Sequence, residues 1–331
     1  MSKQTKIILF VIACCMTTWS NSIMTIIDDD SASLQAIESI KKIADRQKIK
    51  VTFGVIAQRL EGTPEIAAQL LKYKEEGHEI ASHSYSHSSV VWSRKEYNNN
   101  LLAKMEEDLQ KADDILRKSG FQPSAFVYPY GKFHGKEYRG RIIEMVQKYY
   151  PVAFNSRGGF NHSADTCFGY VGRFPMRSHN HLAMIKLKMR RAIRKGDCWF
   201  VVLTHSGMSN FSPSDLEAII EYGKTLGFTY MTATEGFQYC QKMGWQSTST
   251  DQLDDFSLLD EALDFLYLHL FYTLFVIIIF VLVVLSAFIL IKKHLKNPPQ
   301  KRDTFETLTL SVSTAAHMSR LPTSPEKPSQ Q

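Results

Sequence analysis

The stretch Ile23-Met24-Thr25-Ile26-Ile27-Asp28-Asp29-Asp30 decides how the rest of the chain is read. A short apolar run rich in β-branched residues suits a strand buried on both faces. It stops abruptly at three adjacent acids. Neighbouring carboxylates repel one another, and either a divalent cation or a helix N-terminus offsets that repulsion. The same event recurs outward from this stretch. The strand-like Glu79–Ser82 runs into His83-Ser84-Tyr85-Ser86-His87, Ser124–Tyr128 into Pro129-Tyr130-Gly131, and Cys198–Thr204 into His205. Polar chemistry therefore falls just past the end of one apolar run after another.

Between these runs lie amphipathic stretches. Leu34, Ile37, Ile40 and Ile43 recur every three residues, as on one helix face. Helices are predicted over Glu65–Glu76 with Gly77 as its stop, Tyr97–Lys118 stopped by Gly120, Arg139–Tyr149, His181–Arg194, and Pro213–Thr225 behind the candidate N-cap Ser212. Thr234 opens a last short one. Val51–Ile56, Val152–Asn155 and Phe228–Thr232 complete the strands. Roughly seven βα units predict an α/β fold, a parallel sheet with helices outside, as an open sheet or a barrel. In a barrel that end of the strands carries the active site. No GxGxxG follows a strand, which argues against a dinucleotide-binding fold.

The chain has 331 residues, 39 Lys and Arg against 33 Asp and Glu, and a formal net charge of +6. The seven basic and three acidic residues from Lys292 onward supply +4 of it (7 − 3), so the remainder is near neutral and no nucleic-acid partner is expected. At 44% hydrophobic and 22% charged residues the composition is globular. Five cysteines without a CxxC exclude a zinc ribbon. Cys14 and Cys15 fall in an N-terminal targeting segment. Cys167, Cys198 and Cys240 allow one disulfide and one free thiol, or three buried thiols.

Leu270–Ile291 carries no charge over 22 residues and is long enough to cross a bilayer as a helix. Lys292, Lys293, Lys296, Lys301 and Arg302 follow, which by the positive-inside rule makes the tail cytoplasmic. Residues 1–20, with Lys3, Lys6 and the apolar Ile7–Met16, read as a signal peptide cut before Asn21; Val11-Ile12-Ala13-Cys14 also resembles a bacterial lipoprotein box. The expected organisation is a signal peptide over 1–20, a catalytic domain over 21–245, a juxtamembrane linker over 246–269, a transmembrane helix over 270–291 and a disordered cytoplasmic tail over 292–331. That is a single-pass protein of the cell membrane with its main domain extracellular or lumenal. Asn161-His162-Ser163 and Asn210-Phe211-Ser212 are N-glycosylation sequons.

Taken in order, the strand-end clusters resemble the motifs of the polysaccharide deacetylase family (carbohydrate esterase family 4). Ile26-Ile27-Asp28-Asp29-Asp30 is similar to its Thr-Phe-Asp-Asp-Gly motif, and His83-Ser84-Tyr85-Ser86-His87 fits His-Ser/Thr-x-x-His at every position. Val51–Val55 and Gly77–Ala81 resemble the flanking strands. Val127-Tyr128-Pro129-Tyr130-Gly131 is similar to Arg-Pro-Pro-Tyr-Gly, and Leu203-Thr204-His205 to Leu-x-His. The resemblance covers residues 22–243 and implies a deformed (β/α)7-type barrel with parallel strands.

It also implies roles. Asp28 would be the general base. Asp29, His83 and His87 would hold one divalent metal ion, with zinc the default for such a set. The Tyr130 backbone N–H would steady the oxyanion, and His205 would protonate the departing amine. Asp30 stands where the family has glycine, which leaves Asp29 and Asp30 open as base and ligand. Val127 stands where the family has arginine, and Arg173 in Gly172-Arg173-Phe174-Pro175 is the candidate to orient the base. The implied activity is hydrolysis of N-acetyl groups on N-acetylhexosamine units of an extracellular or lumenal polysaccharide. The alternatives are an amidohydrolase acting on another substrate and a catalytically silent, membrane-anchored glycan receptor. Tyr85, Trp92, Tyr130 and Phe160 are candidates to stack on sugar rings or to pack in the core.

Overall fold

The computed structural model describes residues 21–29, 33–93, 98–131, 136–176, 182–249, 273, 277–289 and 292. The expected signal peptide, Asp30, the linker beyond 249 and the tail beyond 292 lie outside them. The strands are β1 (Ile23–Asp28), β2 (Thr52–Val55), β3 (Glu79–Ser82), β4 (Ala125–Val127), β5 (Val152–Phe154), β6 (Phe160–Asn161), β7 (Phe174–Pro175), β8 (Trp199–Thr204) and β9 (Thr229–Tyr230). Among the described residues they form one sheet in the order β5-β4-β3-β2-β1-β8-β6, with β7 also on β8 and β9 also on β1. Every pairing is parallel except β6 on β8. The expected parallel α/β architecture is present as a curled, mixed sheet.

Two strands organise it. β1 pairs along its whole length with β8; at residue level, Ile23–Met24 also pair β9 and Ile27–Asp28 pair β2. β8 likewise receives β6 at Trp199–Phe200 and β7 at Val202–Leu203.

The helices are α1 (Leu34–Gln47), α2 (Gln58–Gly62), α3 (Pro64–Glu75), α4 (Ser89–Trp92), α5 (Asn99–Lys118), α6 (Lys136–Gln147), α7 (Leu182–Lys195), α8 (Pro213–Thr225) and α9 (Ala233–Lys242). Their starts follow local chemistry. The side chains of Ser33, Asn98 and Ser212 accept from Ala36 N, Leu101 N and Asp215 N, and Pro213 sits in the first turn of α8. After α3 the chain turns at Gly77 with φ +92°, a conformation that only glycine adopts without steric cost.

The strand faces separate two parts of the core. Met24 and Ile26 of β1 and Phe200 and Val202 of β8 pack with residues of α1, α3, α7 and α8. Ile23, Ile27, Trp199 and Val201 belong to the other face, with Ala81, Val127, Phe154 and, from α9, Ala233, Phe237 and Cys240. This inner face is filled at its foot: Trp199 is fully buried, meets Phe154 edge-on and donates to Thr25 Oγ1 at 2.9 Å. Glu79 anchors α9 there, accepting from Thr52 Oγ1 at 3.0 Å and Thr234 N at 2.9 Å; burial holds its carboxyl above the usual range. Cys167, Cys198 and Cys240 are buried free thiols, so the expected disulfide option is not taken up among the described residues.

Residues 269–331 form a separate unit. In it, 277–289 are helical and the large apolar side chains Ile277, Phe280, Val283 and Phe288 are exposed. No helix of the described residues is long and apolar enough to cross a membrane. The expected 270–291 span lies partly outside them.

Candidate active site

Side chains alternate faces along a strand, so adjacent residues at the end of β1 part company. Asp28 continues the series of Met24 and Ile26; Asp29 continues that of Ile23 and Ile27. The hydrogen bonds agree. Asp28 is fully buried and its carboxylate accepts from Thr204 Oγ1 at 2.8 Å, Ser206 N at 2.9 Å and Ser206 Oγ at 2.6 Å. Burial raises its pKa to about 7, against the opposing pull of those three donors. Asp28 thus clamps the turn that carries His205, which is half-buried between two residues tied to the same carboxylate.

Asp29 meets Arg173. Nη1 lies 2.7 Å from each carboxylate oxygen, and Nε donates to the Asn155 carbonyl at 2.7 Å. The two side chains are 1% and 3% exposed, so the pair is closed off from water. Arg173 was expected to orient the base; it does orient an acid, and that acid is Asp29 rather than Asp28. Gly54 on β2 makes room for it, since a Cβ there would stand 3.1 Å from Asp29 Oδ1.

His83 follows β3 on the same parity as Ala81, a residue of the inner face. Its Nδ1 is 2.8 Å from the Val127 carbonyl. A carbonyl only accepts, so Nδ1 carries the proton and Nε2 keeps its lone pair, the tautomer a metal ligand needs. The rings of His83 and His87 stand 4.7 Å apart. The spacing of the pair suggests one turn of helix, and here the structure differs. Residues 83–88 form an irregular loop in which Ser84 (φ +66°) and His87 (φ +49°) are left-handed. His87 N donates to Ser84 Oγ at 2.9 Å, and the Ser84 and Tyr85 carbonyls accept from Ala57 N and Gln58 N.

Tyr130 sits in the Pro129–Gly131 turn, also left-handed at φ +59°. Its ring lies 4.6 Å from that of His87 and its hydroxyl donates to the His87 carbonyl at 3.1 Å. Of the aromatic candidates, Tyr130 is exposed and Tyr85 half-buried. Trp92 is fully buried against Phe126, and Phe160 stacks on Phe200 at 4.3 Å, so these two pack in the core. The Asn161 sequon is likewise structural, because its amide donates to the Gly172 and Trp199 carbonyls.

The expected ligand set is drawn together only in part. Among the described residues, Asp29, His83 and His87 do not bring their ligand atoms within 4.8 Å of one another as a group; the set that does is Asp45, Glu76 and His78, at the other end of the strands. The physical reason at the mouth is Arg173, which occupies the Asp29 carboxylate. That other set does not suit a metal. Lys41 Nζ lies 2.6 Å from both Asp45 and Glu76, where a cation would sit. His78 Nδ1 accepts from Val51 N, so Nε2 carries the proton and has no lone pair to give.

Sequence reasoning missed Gly54, Asn155, Ser206 and Asp108. Ser206 and Asn155 follow strand ends, which was a usable signal; nothing local marks Asp108 among its acidic neighbours.

The family model described as polysaccharide deacetylase matches residues 17–147, a span that includes the three acids, both histidines and Tyr130 but neither Arg173 nor His205. None of the curated proteins matches the chain. Among solved structures, a family 4 acetyl xylan esterase from Clostridium thermocellum, in complex with a cobalt ion, is 17% identical, with 70% of this chain and 96% of that one covered and a TM-score of 0.48. A carbohydrate esterase domain of a multidomain xylanase from the hindgut metagenome of Trinervitermes trinervoides is 18% identical, covering 68% and 92%, at a TM-score of 0.46. A family pseudoenzyme from Bacillus anthracis is 16% identical, covering 65% of each chain, at 0.45. The segment that carries the three acids, the histidine pair and the Tyr130 turn is thus the part of the chain that is similar to the polysaccharide deacetylase family.

Proposed function

We propose that the chain is a metal-dependent hydrolase that removes acetyl groups from N-acetylhexosamine units of an extracellular or lumenal polysaccharide. The observation that carries this reading is the tautomer of His83. Its Nδ1 proton goes to the Val127 carbonyl, Nε2 is then the nitrogen that bears the lone pair, and the His87 ring stands 4.7 Å from its own. An imidazole so prepared, with a second imidazole beside it, fits a divalent ion, with zinc the default. His83 and His87 would hold it, and Asp30 is the acid proposed to complete the set, since Arg173 engages Asp29. When bound, such an ion supplies Lewis-acid polarisation of the acetyl carbonyl.

The chain's own residues supply the proton transfers. Asp29 is the proposed base in place of Asp28, on the strength of its inward parity and its Arg173 partner. A carboxylate has about four lone-pair sites, so the two contacts to Nη1 leave room to take a proton from the attacking water. Asp28 then acts on His205 through the Thr204–Ser206 turn. As the C–N bond breaks, His205 donates a proton to the departing amine. The left-handed Tyr130 turn aims its backbone N–H to steady the oxyanion. Residues 270–291 are proposed to anchor the protein in the membrane with the deacetylase domain outside; the exposed apolar helix at 277–289 supports this.

The test is acetate release from a chitooligosaccharide by the full-length protein in detergent, with metal content measured on the same sample. The expected result is about one ion per chain, and loss of both ion and activity in His83→Ala. Metal-dependent cleavage of a small amide without action on glycan would favour another amidohydrolase. Glycan binding with no acetate release would favour a receptor.

A further inference from the structure

We propose that Asp108 is a positioning residue that fixes the loop presenting His87. This rests on reading His83 and His87 as metal ligands. Asp108 lies on α5, remote in sequence from both histidines, and is 8% exposed. Its Oδ1 accepts from Ser86 N at 3.1 Å and from Ser86 Oγ; its Oδ2 accepts from Tyr85 N at 3.0 Å and Trp92 Nε1 at 3.2 Å. Those four donors fill the carboxylate. Two of them are the consecutive backbone N–H groups between the left-handed Ser84 and His87. A loop with two non-glycine residues in that region persists only when its surroundings over-determine it. Asp108 supplies that constraint, and Ser84 Oγ passes it on to His87 N. One turn along the same helix, Lys111 Nζ sits 3.7 Å from the centre of the Tyr85 ring, so α5 holds the loop by backbone and side chain together. Asp108 touches neither imidazole in any of these bonds; it acts through the loop.

The experiment measures metal affinity, by competition of the full-length protein for zinc against a chromophoric chelator, and the visible spectrum of the cobalt-loaded protein. Asp108→Asn keeps an acceptor for Ser86 but sets an NH2 against the Tyr85 and Trp92 donors. It is expected to weaken affinity about 10–100-fold, the usual cost of losing an outer-shell support, and to shift the cobalt spectrum. Ser86→Ala, which removes the hydroxyl that donates to Asp108 and accepts from Ser88 N, should weaken affinity a few-fold in the same direction. A lower melting temperature with unchanged affinity and spectrum in both variants would overturn the proposal. If the unmodified protein holds no ion that His83→Ala removes, the metal reading itself fails, an outcome the parent protein alone reveals.

Discussion

The chain places histidine beside carboxylates at both ends of the same strand, β3, and the two clusters do opposite things. At the mouth, His83 Nδ1 donates to a carbonyl, which makes Nε2 the nitrogen that bears the lone pair. At the foot, His78 Nδ1 accepts from Val51 N, and the buried Nε2–H has no hydrogen-bond partner among the described residues. At the mouth the cation is Arg173, fixed among the described residues on Asp29. At the foot it is Lys41, shared by Asp45 and Glu76 and lying 5.3 Å from the Tyr73 ring centre. Burial works against the Lys41 charge, and the Asp45 and Glu76 bonds more than offset it, so its pKa stands above the ordinary lysine value. Residue composition does not separate the two clusters. What separates them is which backbone group faces Nδ1.

The widest gap between them should appear in activity. Asp29→Asn is expected to cut acetate release by about 10²–10⁴-fold, the usual share of a general base, and Asp28→Asn by less than about tenfold. Equal losses would erase the inside–outside distinction on β1. Next comes stability at the mouth. Arg173→Met leaves a buried carboxylate unpaired and should cost about 3–5 kcal/mol in urea unfolding, most of it recovered when Asp29→Asn is added.

At the foot the response should follow pH instead. Burial, then Lys50 and Lys41, push the His78 pKa down from 6.5 to about 4. The unfolded chain binds that proton first, so stability should fall as pH drops from about 6.5 toward 4, by at most ~3 kcal/mol. The slope should flatten in His78→Gln, as read from melting curves across that range. The smallest effect is expected from Lys41→Met, about 1 kcal/mol, because Asp45 and Glu76 are partly in water; metal content should not move.

Much of the architecture is legible in the sequence, and the illegible parts have physical causes. The helix over 213–225 announces itself by Ser212, Pro213 and its period, and that over 99–118 by its amphipathic stripe and Gly120. β1 and β8 are legible as strands, but both are buried on both faces, and Thr25 in β1 is as buried as its neighbours and so marks no solvent face. Which of Asp28 and Asp29 points inward was therefore unreadable. The four-residue gap between His83 and His87 suits a helix, and nothing in Ser84-Tyr85-Ser86 advertises left-handed backbone. β6 and β7, two residues each, are too short to leave a pattern. Asp108 shares its helix with Glu106, Glu107, Asp113 and Asp114, so in sequence it looks like one more solvated acid.

The pairing of β1 with β8 joins residues 176 positions apart, and Asp29 meets Arg173 across 144. Contacts of such span form late, because the chain must first give up the freedom of everything between. A ribosome delivering this polypeptide releases the acids of the mouth long before it releases their partners. Fragments ending near Gln147 would hold every motif of the matched span and still lack the strand and the guanidinium that make it a site, so catalytic competence should arrive as a single late event.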